Sequence, residues 1–143
     1  MKRMLMDYLV VIFPVVYHQP ILPLDCDANS VWTDVSKNRS QQGLSTDLIV
    51  FIFETESSYI GKEVGLNLSR YQNVQVLGFH SVNPLLKEMK LPDSNWPVVG
   101  YIDKSLSVKS IPLAANEDLV PYIVSSVLTV PGTKFILPSS TSL

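Results

Sequence analysis

The side chains in this sequence that could do chemistry are few and lie far apart. A single cysteine, Cys26, excludes an internal disulfide, a CxxC redox pair and a cysteine-rich metal site within the chain. The two histidines, His18 and His80, are too scattered to indicate a metal cluster. Glu54 and Glu56 could act as a carboxylate pair, but their place in a polar elbow favours solvated side chains. The residue types therefore give no catalytic or metal-binding constellation.

Two serines, Ser57 and Ser58, follow in the same elbow. A serine nucleophile needs a base such as histidine within reach, and the nearby sequence provides none. Both serines precede a predicted helix, where a serine side chain can accept a hydrogen bond from a free backbone N–H group. We therefore expect Ser57 or Ser58 to cap that helix.

The elbow joins a predicted strand to a predicted helix. Residues 48–53 are six consecutive apolar residues of mostly β-branched and aromatic types, which is typical of a strand buried on both faces in a parallel sheet. After the elbow, apolar residues recur every four positions and form one stripe of a helix: Ile60, Val64 and Leu68. Gly61 and Gly65 run beside this stripe and indicate that the helix lies close to the sheet.

A second strand and a short helix are predicted next. Residues 74–79 form another mostly apolar run, which predicts a second buried strand. Asn83 and Pro84 then suit the start of a helix that continues to Met89, because proline fits the first helical position.

The last third of the chain predicts a hairpin and a final helix. Residues 98–102 are mostly apolar, whereas residues 106–111 alternate apolar with polar side chains, so the second arm is expected to be an exposed edge. A helix is expected from about Asn116, with Pro121 bending it or delaying its start, and residues 130–132 end it.

Length and charge limit the class of protein. The 143 residues, 46% of them hydrophobic, suit a single domain with one core. A net charge of −2 and the absence of a lysine or arginine cluster give no footprint for nucleic acid or for an anionic membrane surface. We therefore set nucleic-acid binding aside.

We divide the chain into an apolar N-terminal segment, a linker, a folded domain and a flexible tail: residues 1–21, 22–45, 46–131 and 132–143. The uninterrupted apolar run of the first segment, residues 8–17, is too short to span a bilayer. A secretory signal peptide and ordinary structure, such as the last helix of an upstream domain, both remain open for it. The linker is expected to contain one helical turn around Trp32 and Val35.

The order of predicted elements resembles the thioredoxin fold from its central strand onward. The resemblance implies an α/β fold with a central mixed sheet, flanking helices and a C-terminal β-hairpin plus helix. In that family the loop before the hairpin carries a cis-proline beside the active site, and Pro97 stands at that place. A cis X-Pro bond is only about 0.5–1 kcal/mol less stable than the trans form, so little free energy opposes this assignment.

A closer resemblance is to the second, non-catalytic thioredoxin-like domain of quiescin sulfhydryl oxidases, from about Leu22 to Leu128. The most specific matching run is Ser-Tyr-Ile-Gly-Lys-Glu-Val at residues 58–64. The other matching runs are at residues 23–25, 51–54, 66–69 and 95–97.

The resemblance implies a vacant redox site. In a catalytic thioredoxin the helix after the central strand begins with CxxC, because the helix dipole and its free N–H groups stabilise a thiolate. Here those four positions are Ser58, Tyr59, Ile60 and Gly61. Without a thiol at this place we expect no redox chemistry from the chain.

The same resemblance carries further expectations. The family's linker cysteine pairs with a cysteine two residues after the cis-proline, and here that position is Val99, so Cys26 is expected to be unpaired. The resemblance also makes residues 2–9 look like the last helix of a preceding thioredoxin domain, and the chain a fragment of a larger oxidase. Asn38 and Asn67 begin possible N-glycosylation sequons, although plain surface asparagines are an equally good interpretation. Asn67, on the predicted helix, is the weaker candidate.

The resemblance implies a redox-inactive module of a flavin-dependent thiol oxidase in the secretory pathway, ER or Golgi, or an extracellular glycoprotein. The parent enzyme would form disulfides in proteins and reduce O2 to H2O2, with FAD in a domain that this chain lacks. The expected partners are the neighbouring redox domains or thiol protein substrates, and no cofactor, metal or membrane-spanning segment is expected here. The alternative is a non-catalytic, substrate-binding domain like those of protein disulfide isomerases, with an apolar groove near Trp96 and Tyr59.

Overall fold

Strand β1 (Leu48–Glu54) lies at the centre of the protein. The structure is a computed structural model, and it describes residues 27–92, 97–113 and 118–137. All seven residues of β1 are buried, and the apolar run predicts this for the first six. Three further strands complete a mixed sheet in the order β2-β1-β3-β4, and they are β2 (Val74–His80), β3 (Val98–Asp103) and β4 (Val108–Ile111). The predicted mixed sheet with a C-terminal hairpin is confirmed.

The strand register defines two edges of this sheet. β1 and β2 are parallel, so Leu48 lies opposite Val74 where both strands begin, and Glu54 lies opposite His80 where both end. We call these the amino edge and the carboxyl edge. β3 runs antiparallel to β1, and β4 runs antiparallel to β3.

Helices cover both faces of the sheet. One face carries α2 (Ile60–Leu68) and α4 (Leu119–Leu128), and the other carries α1 (Ala28–Ser40) and the single turn α3 (Leu85–Glu88). Alternate residues of β1 enter the two cores, so Phe51 faces α1 and α3 whereas Val50 faces α2 and α4. β1 thus connects two separate apolar layers.

Helix α1 corrects the sequence prediction for the described part of the linker, residues 27–45. A linker with one helical turn was expected, but the structure has a helix of 13 residues. The Asp27 side chain caps it by accepting the Ser30 N–H at 2.8 Å, and this hydrogen bond lowers the pKa of Asp27. Val31 and Val35 lie one turn apart on its buried side and are almost inaccessible to solvent. The folded unit therefore includes residues that the sequence pattern assigned to a linker.

The two helices with a proline at or near their start, α3 and α4, differ less from prediction. The Asn83 Oδ1 accepts the Leu85 N–H at 2.9 Å and so caps α3, although this helix has only four residues. α4 begins at Leu119, with Pro121 in its first turn, where a missing N–H removes no helical hydrogen bond. The expected delay by Pro121 thus agrees with the observed start.

Gly100 on β3 is required by close packing. A Cβ atom at this position would lie 2.8 Å from both terminal methyl groups of Leu91 and 3.0 Å from the Lys109 carbonyl oxygen. A larger residue would therefore require the Leu91 side chain to shift, and the Lys109 backbone would limit the space on the other side.

Candidate functional site

The candidate site lies at the carboxyl edge, where β1 ends and α2 begins. Glu54 is the last residue of β1, and its side chain is completely buried. Residues 55–59 form a short turn, after which α2 begins at Ile60. The turn therefore brings the start of α2 back to the end of the central strand.

The Glu54 carboxylate caps α2. Its Oε2 accepts the Gly61 N–H at 2.8 Å, and its Oε1 accepts the Ile60 N–H at 3.1 Å. The Ser58 hydroxyl also donates to Oε1. The first N–H groups of a helix have no partner within the helix, and its positive end favours an anion, so a carboxylate suits this place.

One sequence interpretation is wrong here, and a second holds only in part. Glu54 is a buried cap, not part of a solvated elbow, because the strand includes it and its carboxylate meets three donors. The expected serine cap is also absent from the first position, since the N-cap residue is Tyr59, whose side chain makes no capping hydrogen bond. The Ser58 oxygen lies 3.4 Å from the Ile60 nitrogen and contributes at most a weak cap. Glu56 is exposed, as expected.

The pKa of Glu54 lies above its ordinary value. Burial raises this pKa, while the hydrogen bonds from Ser58, Gly61 and Ile60 act in the opposite direction. Burial has the larger effect, so the folded protein holds the Glu54 proton to a higher pH than the unfolded chain does.

Ser58 and Glu54 do not make a nucleophile and its base. Ser58 donates to a carboxylate, which is a far weaker base than the histidine that activates serine in hydrolases. The backbone N–H groups of residues 60 and 61 could otherwise stabilise an oxyanion, but they already bind Glu54. The geometry therefore favours a structural function for both side chains.

The structure places the other residues of the predicted site around the same edge. Pro97 is buried and directly precedes Val98, which pairs with Phe53 near the end of β1. Its cis peptide bond stays a prediction, and Trp96 lies outside the described residues. His80, expected in a loop, is the last residue of β2, and its Nδ1 accepts the Val82 N–H at 3.2 Å.

Two large apolar side chains are exposed at this edge. Tyr59, within the predicted vacant CxxC position, is 70% exposed, and Val82, after β2, is 78% exposed. Their strands end side by side, so both side chains lie at the same edge of the sheet. Among the described residues of the edge, these two exposed side chains suit contact with another polypeptide.

The predicted modification sites lie away from the edge. Asn38 is buried at 5% exposure on α1, whereas Asn67 is exposed on α2 and donates its Nδ2 to the Glu63 carbonyl oxygen at 2.8 Å. Glycosylation stays a prediction for both, and accessibility now favours Asn67, the reverse of the order expected from the sequence. Cys26 lies outside the described residues, and Val99 is buried.

A groove between α2 and α4 has a volume of about 500 Å³. It is lined by Asn67, Val120, Pro121, Val124, Ser125, Leu128 and Thr129. None of these side chains is cationic, so the groove offers no charged side-chain partner for the pyrophosphate of the flavin that the family implies for the parent enzyme.

Within residues 27–92, 97–113 and 118–137, no three His, Cys, Asp or Glu side chains come together as a possible metal site. None of the helices described there is long and apolar enough to cross a membrane.

Sequence reasoning missed Glu54 as the residue that organises the edge. The signal was its position as the first polar residue after six buried ones, seven residues before a buried glycine at the start of a helix. A carboxylate at that place is well located to meet the free N–H groups of the helix.

The sheet order, the hairpin and the two helical layers define a thioredoxin-like domain. The sequence matches the family described as QSOX Trx-like domain over residues 37–117, more than half of the chain. The chain therefore belongs to the thioredoxin-like domains of the quiescin sulfhydryl oxidase family. No curated protein matches it.

Proposed function

We propose that this chain is a redox-inactive module of a flavin-dependent sulfhydryl oxidase, and that it positions the redox domains of its parent enzyme. The parent forms disulfides from protein thiols and reduces O2 to H2O2, in the secretory pathway or outside the cell. FAD and the reacting dithiols belong to other domains of that enzyme.

The observation that carries this proposal is the occupied start of helix α2. In a dithiol oxidoreductase the free N–H groups at this place stabilise a cysteine thiolate. Here the Glu54 carboxylate accepts the N–H groups of Ile60 and Gly61. A carboxylate exchanges no electrons with a disulfide, and positions 58 and 61 carry no sulfur. These contacts favour a domain that has kept the fold without the reaction.

The architecture suits a spacer. The central strand is buried on both faces between two helical layers, which makes a rigid body. A rigid body between two redox domains keeps their reacting groups within reach of each other and raises their effective concentration. The mechanism we propose is therefore geometric, with no chemical step at this domain.

Activity measurements on the purified chain test the first part of the proposal. We expect no oxygen consumption with a dithiol substrate and no flavin absorbance. Oxygen consumption by the chain alone, or a bound flavin, would overturn the redox-inactive assignment.

The genomic sequence on both sides of the 143 codons tests the second part. A thioredoxin domain with CxxC before the chain and an FAD-type oxidase domain after it support the spacer function, whereas in-frame stops on both sides exclude it. Given such a parent, we expect Ser58→Ala to leave its rate of disulfide formation unchanged. Replacing the cysteines of the upstream CxxC serves as the positive control and abolishes the activity.

A second candidate function is supported by the exposure of Tyr59 and Val82. A non-catalytic domain that holds unfolded chains, like those of protein disulfide isomerases, would present apolar side chains at this edge. The probe is a permanently unfolded, S-carboxymethylated polypeptide. Tyr59→Ser with Val82→Ser should weaken its binding at least tenfold, while Leu106→Ser, an exposed leucine on the hairpin turn at the amino edge, is the matched control. If the unsubstituted chain, the double variant and Leu106→Ser all bind the unfolded polypeptide equally, this function is excluded.

A further inference from the structure

The residues between α2 and β2 hold a later part of the same chain. Asn73 donates its Nδ2 to the Lys134 carbonyl oxygen at 2.7 Å, and its Oδ1 accepts the Ile136 N–H at 3.0 Å. The Gln72 N–H donates to the Ile136 carbonyl oxygen at 2.7 Å. We call residues 134–136 the tail segment. These three hydrogen bonds all involve its backbone, so they do not depend on its side chains.

Asn73 is well fixed for this contact. Its side chain is completely buried, and its Nδ2 also donates to the Asp47 Oδ2 at 2.9 Å. Asp47 is held in turn by an ion pair with Lys104, whose Nζ lies 2.8 Å from Asp47 Oδ1. Both hydrogens of the Asn73 amide group are therefore used, and its oxygen points at the tail segment.

An aromatic pair adds to the hydrogen bonds. The rings of Tyr71 and Phe135 meet edge to face, with centroids 5.6 Å apart and an interplanar angle of 70°. The neighbouring tail side chains contribute little to the core, since Ile136 is 41% and Leu137 53% exposed. The main effect of these contacts is thus on the path of the backbone.

That path leaves the domain at the amino edge, because Asn73 directly precedes β2 and Asp47 directly precedes β1. The described chain begins nearer the other edge. The Ala28 N–H at the start of α1 lies 3.4 Å from Glu88 Oε1 on α3, which follows the end of β2. The two edges are about 20 Å apart, because that is the length of a seven-residue strand such as β1.

The end of α1 confirms this direction. Arg39, in its last turn, is buried and donates from Nη2 to the carbonyl oxygens of Ser45 and Gln72, at 3.0 and 2.6 Å. Both acceptors lie at the amino edge, just before β1 and β2. α1 therefore runs from the carboxyl edge to the amino edge, over about 20 Å for its 13 residues.

We propose that Tyr71, Gln72 and Asn73 form a clip for the tail segment, and that this clip fixes the direction in which the chain continues after Leu137. The ligand of the clip is an extended stretch of the same polypeptide, recognised through its backbone. The inference rests on the proposed spacer function, because a spacer sets the position of an attached domain only if the connecting chain leaves it in a fixed direction.

Spin-label distances on the full chain test the clip. In a Cys26→Ser background, Lys109→Cys on the edge strand β4 and Leu137→Cys carry the labels, and both positions are exposed. We expect a narrow distance distribution. Ile136→Pro removes the N–H group that binds Asn73, and it should broaden the distribution at least twofold without unfolding the domain, because Ile136 is exposed.

Two further variants complete the experiment. Lys134→Ala is the matched control, since Lys134 contributes only its carbonyl oxygen, and it should leave the distribution narrow. Asn73→Ala with Phe135→Ala removes both kinds of contact and should broaden it most. The clip is overturned if the doubly labelled chain without further substitutions has a broad distance distribution, or if Ile136→Pro does not broaden it.

These outcomes are independent of the redox test. The label distances involve neither a dithiol nor a flavin, so oxygen consumption by the chain with a narrow distribution would exclude the proposed function and keep the clip. A broad distribution in a chain without activity would exclude the clip alone.

Discussion

Glu54 is a fully buried carboxylate whose described partners are two backbone N–H groups and one hydroxyl. Removing a carboxylate from water is costly unless hydrogen bonds replace those to water. The three donors supply them, and they belong to α2 or to the turn before it. The side chain therefore fastens the start of α2 to the end of β1.

Replacing Glu54 should destabilise the protein. Glu54→Ala leaves the N–H groups of Ile60 and Gly61 without their acceptor and should lower the free energy of unfolding by about 2–3 kcal/mol. Urea denaturation measures the change. Glu56→Ala, at an exposed position of the same turn, is the control and should stay within about 0.5 kcal/mol of the parent protein. Equal effects of the two substitutions would contradict the capping function.

The raised pKa of Glu54 predicts the pH dependence of this stability. The folded-state pKa lies above the unfolded value, taken as 4.5, so the folded state binds the proton more tightly. The resulting stabilisation is fully present below the unfolded pKa and is lost as the pH rises through the folded pKa. We expect the free energy of unfolding of the parent protein, relative to Glu54→Gln, to fall between pH 4.5 and neutral pH. A rise over this range would mean that the hydrogen bonds outweigh burial.

At the scale of elements, α1 makes the largest difference between the predicted and the observed domain. It packs Ala28, Val31 and Val35 against the sheet face that also carries Phe51 and Phe79. Its other positions are mostly polar, including Asn29, Ser30 and Asp34. One narrow apolar stripe is thus enough for a helix when a sheet face is available to bury it.

A core substitution distinguishes a packed helix from a linker. Val35→Ala should lower the free energy of unfolding by about 1.5–3 kcal/mol, because the valine side chain is fully packed against the sheet. Thermal or urea unfolding measures the loss. Lys37→Ala, two residues along on the exposed side, should have little effect. A neutral Val35→Ala substitution would contradict a stable α1.

The elements that could be predicted have patterns carried by their own residues. The apolar run of β1 is long enough to require burial on both faces, and the buried stripe of α2 includes Val64 and Leu68, as its spacing predicts. α1 could not be recognised in the same way, because its few apolar residues stabilise a helix only when they are buried against the sheet. Neighbouring prolines and polar residues made the segment look like a linker.

The candidate site likewise has one part that the sequence could predict and one part that it could not. The resemblance to thioredoxins predicts a vacant dithiol at Ser58 and Gly61, and the structure places both residues at the start of α2 or just before it. The burial of Glu54 depends on a turn that folds the helix back over the strand end. That is a tertiary contact over seven residues, and no local pattern encodes it.

At the scale of the whole molecule, the two apolar layers share the strands of one sheet. Alternate residues of β1 belong to opposite layers, so neither layer can lose its packing without disturbing the other. The structure therefore indicates one cooperative unit and not two independent halves.

Cooperativity can be tested by weakening each layer separately. Val31→Ala acts on the layer under α1, and Val127→Ala acts on the layer under α4. Both should lower the midpoint of the same single transition, whether it is followed by near- or far-ultraviolet circular dichroism. Two separate transitions in either variant would show that the layers unfold independently.

The buried cap also bears on how this domain can evolve. Ser58→Cys alone would set a thiol beside the Glu54 carboxylate, whose negative charge raises a thiol pKa and so suppresses the reactive thiolate. A working dithiol would need cysteines at positions 58 and 61 and, in addition, the loss of the acid at position 54. Each step taken singly brings no gain in activity, and losing the acid weakens the fold. Cysteines at positions 58 and 61 would therefore not by themselves make a reactive dithiol here, because the Glu54 carboxylate already holds the N–H groups that would stabilise a thiolate.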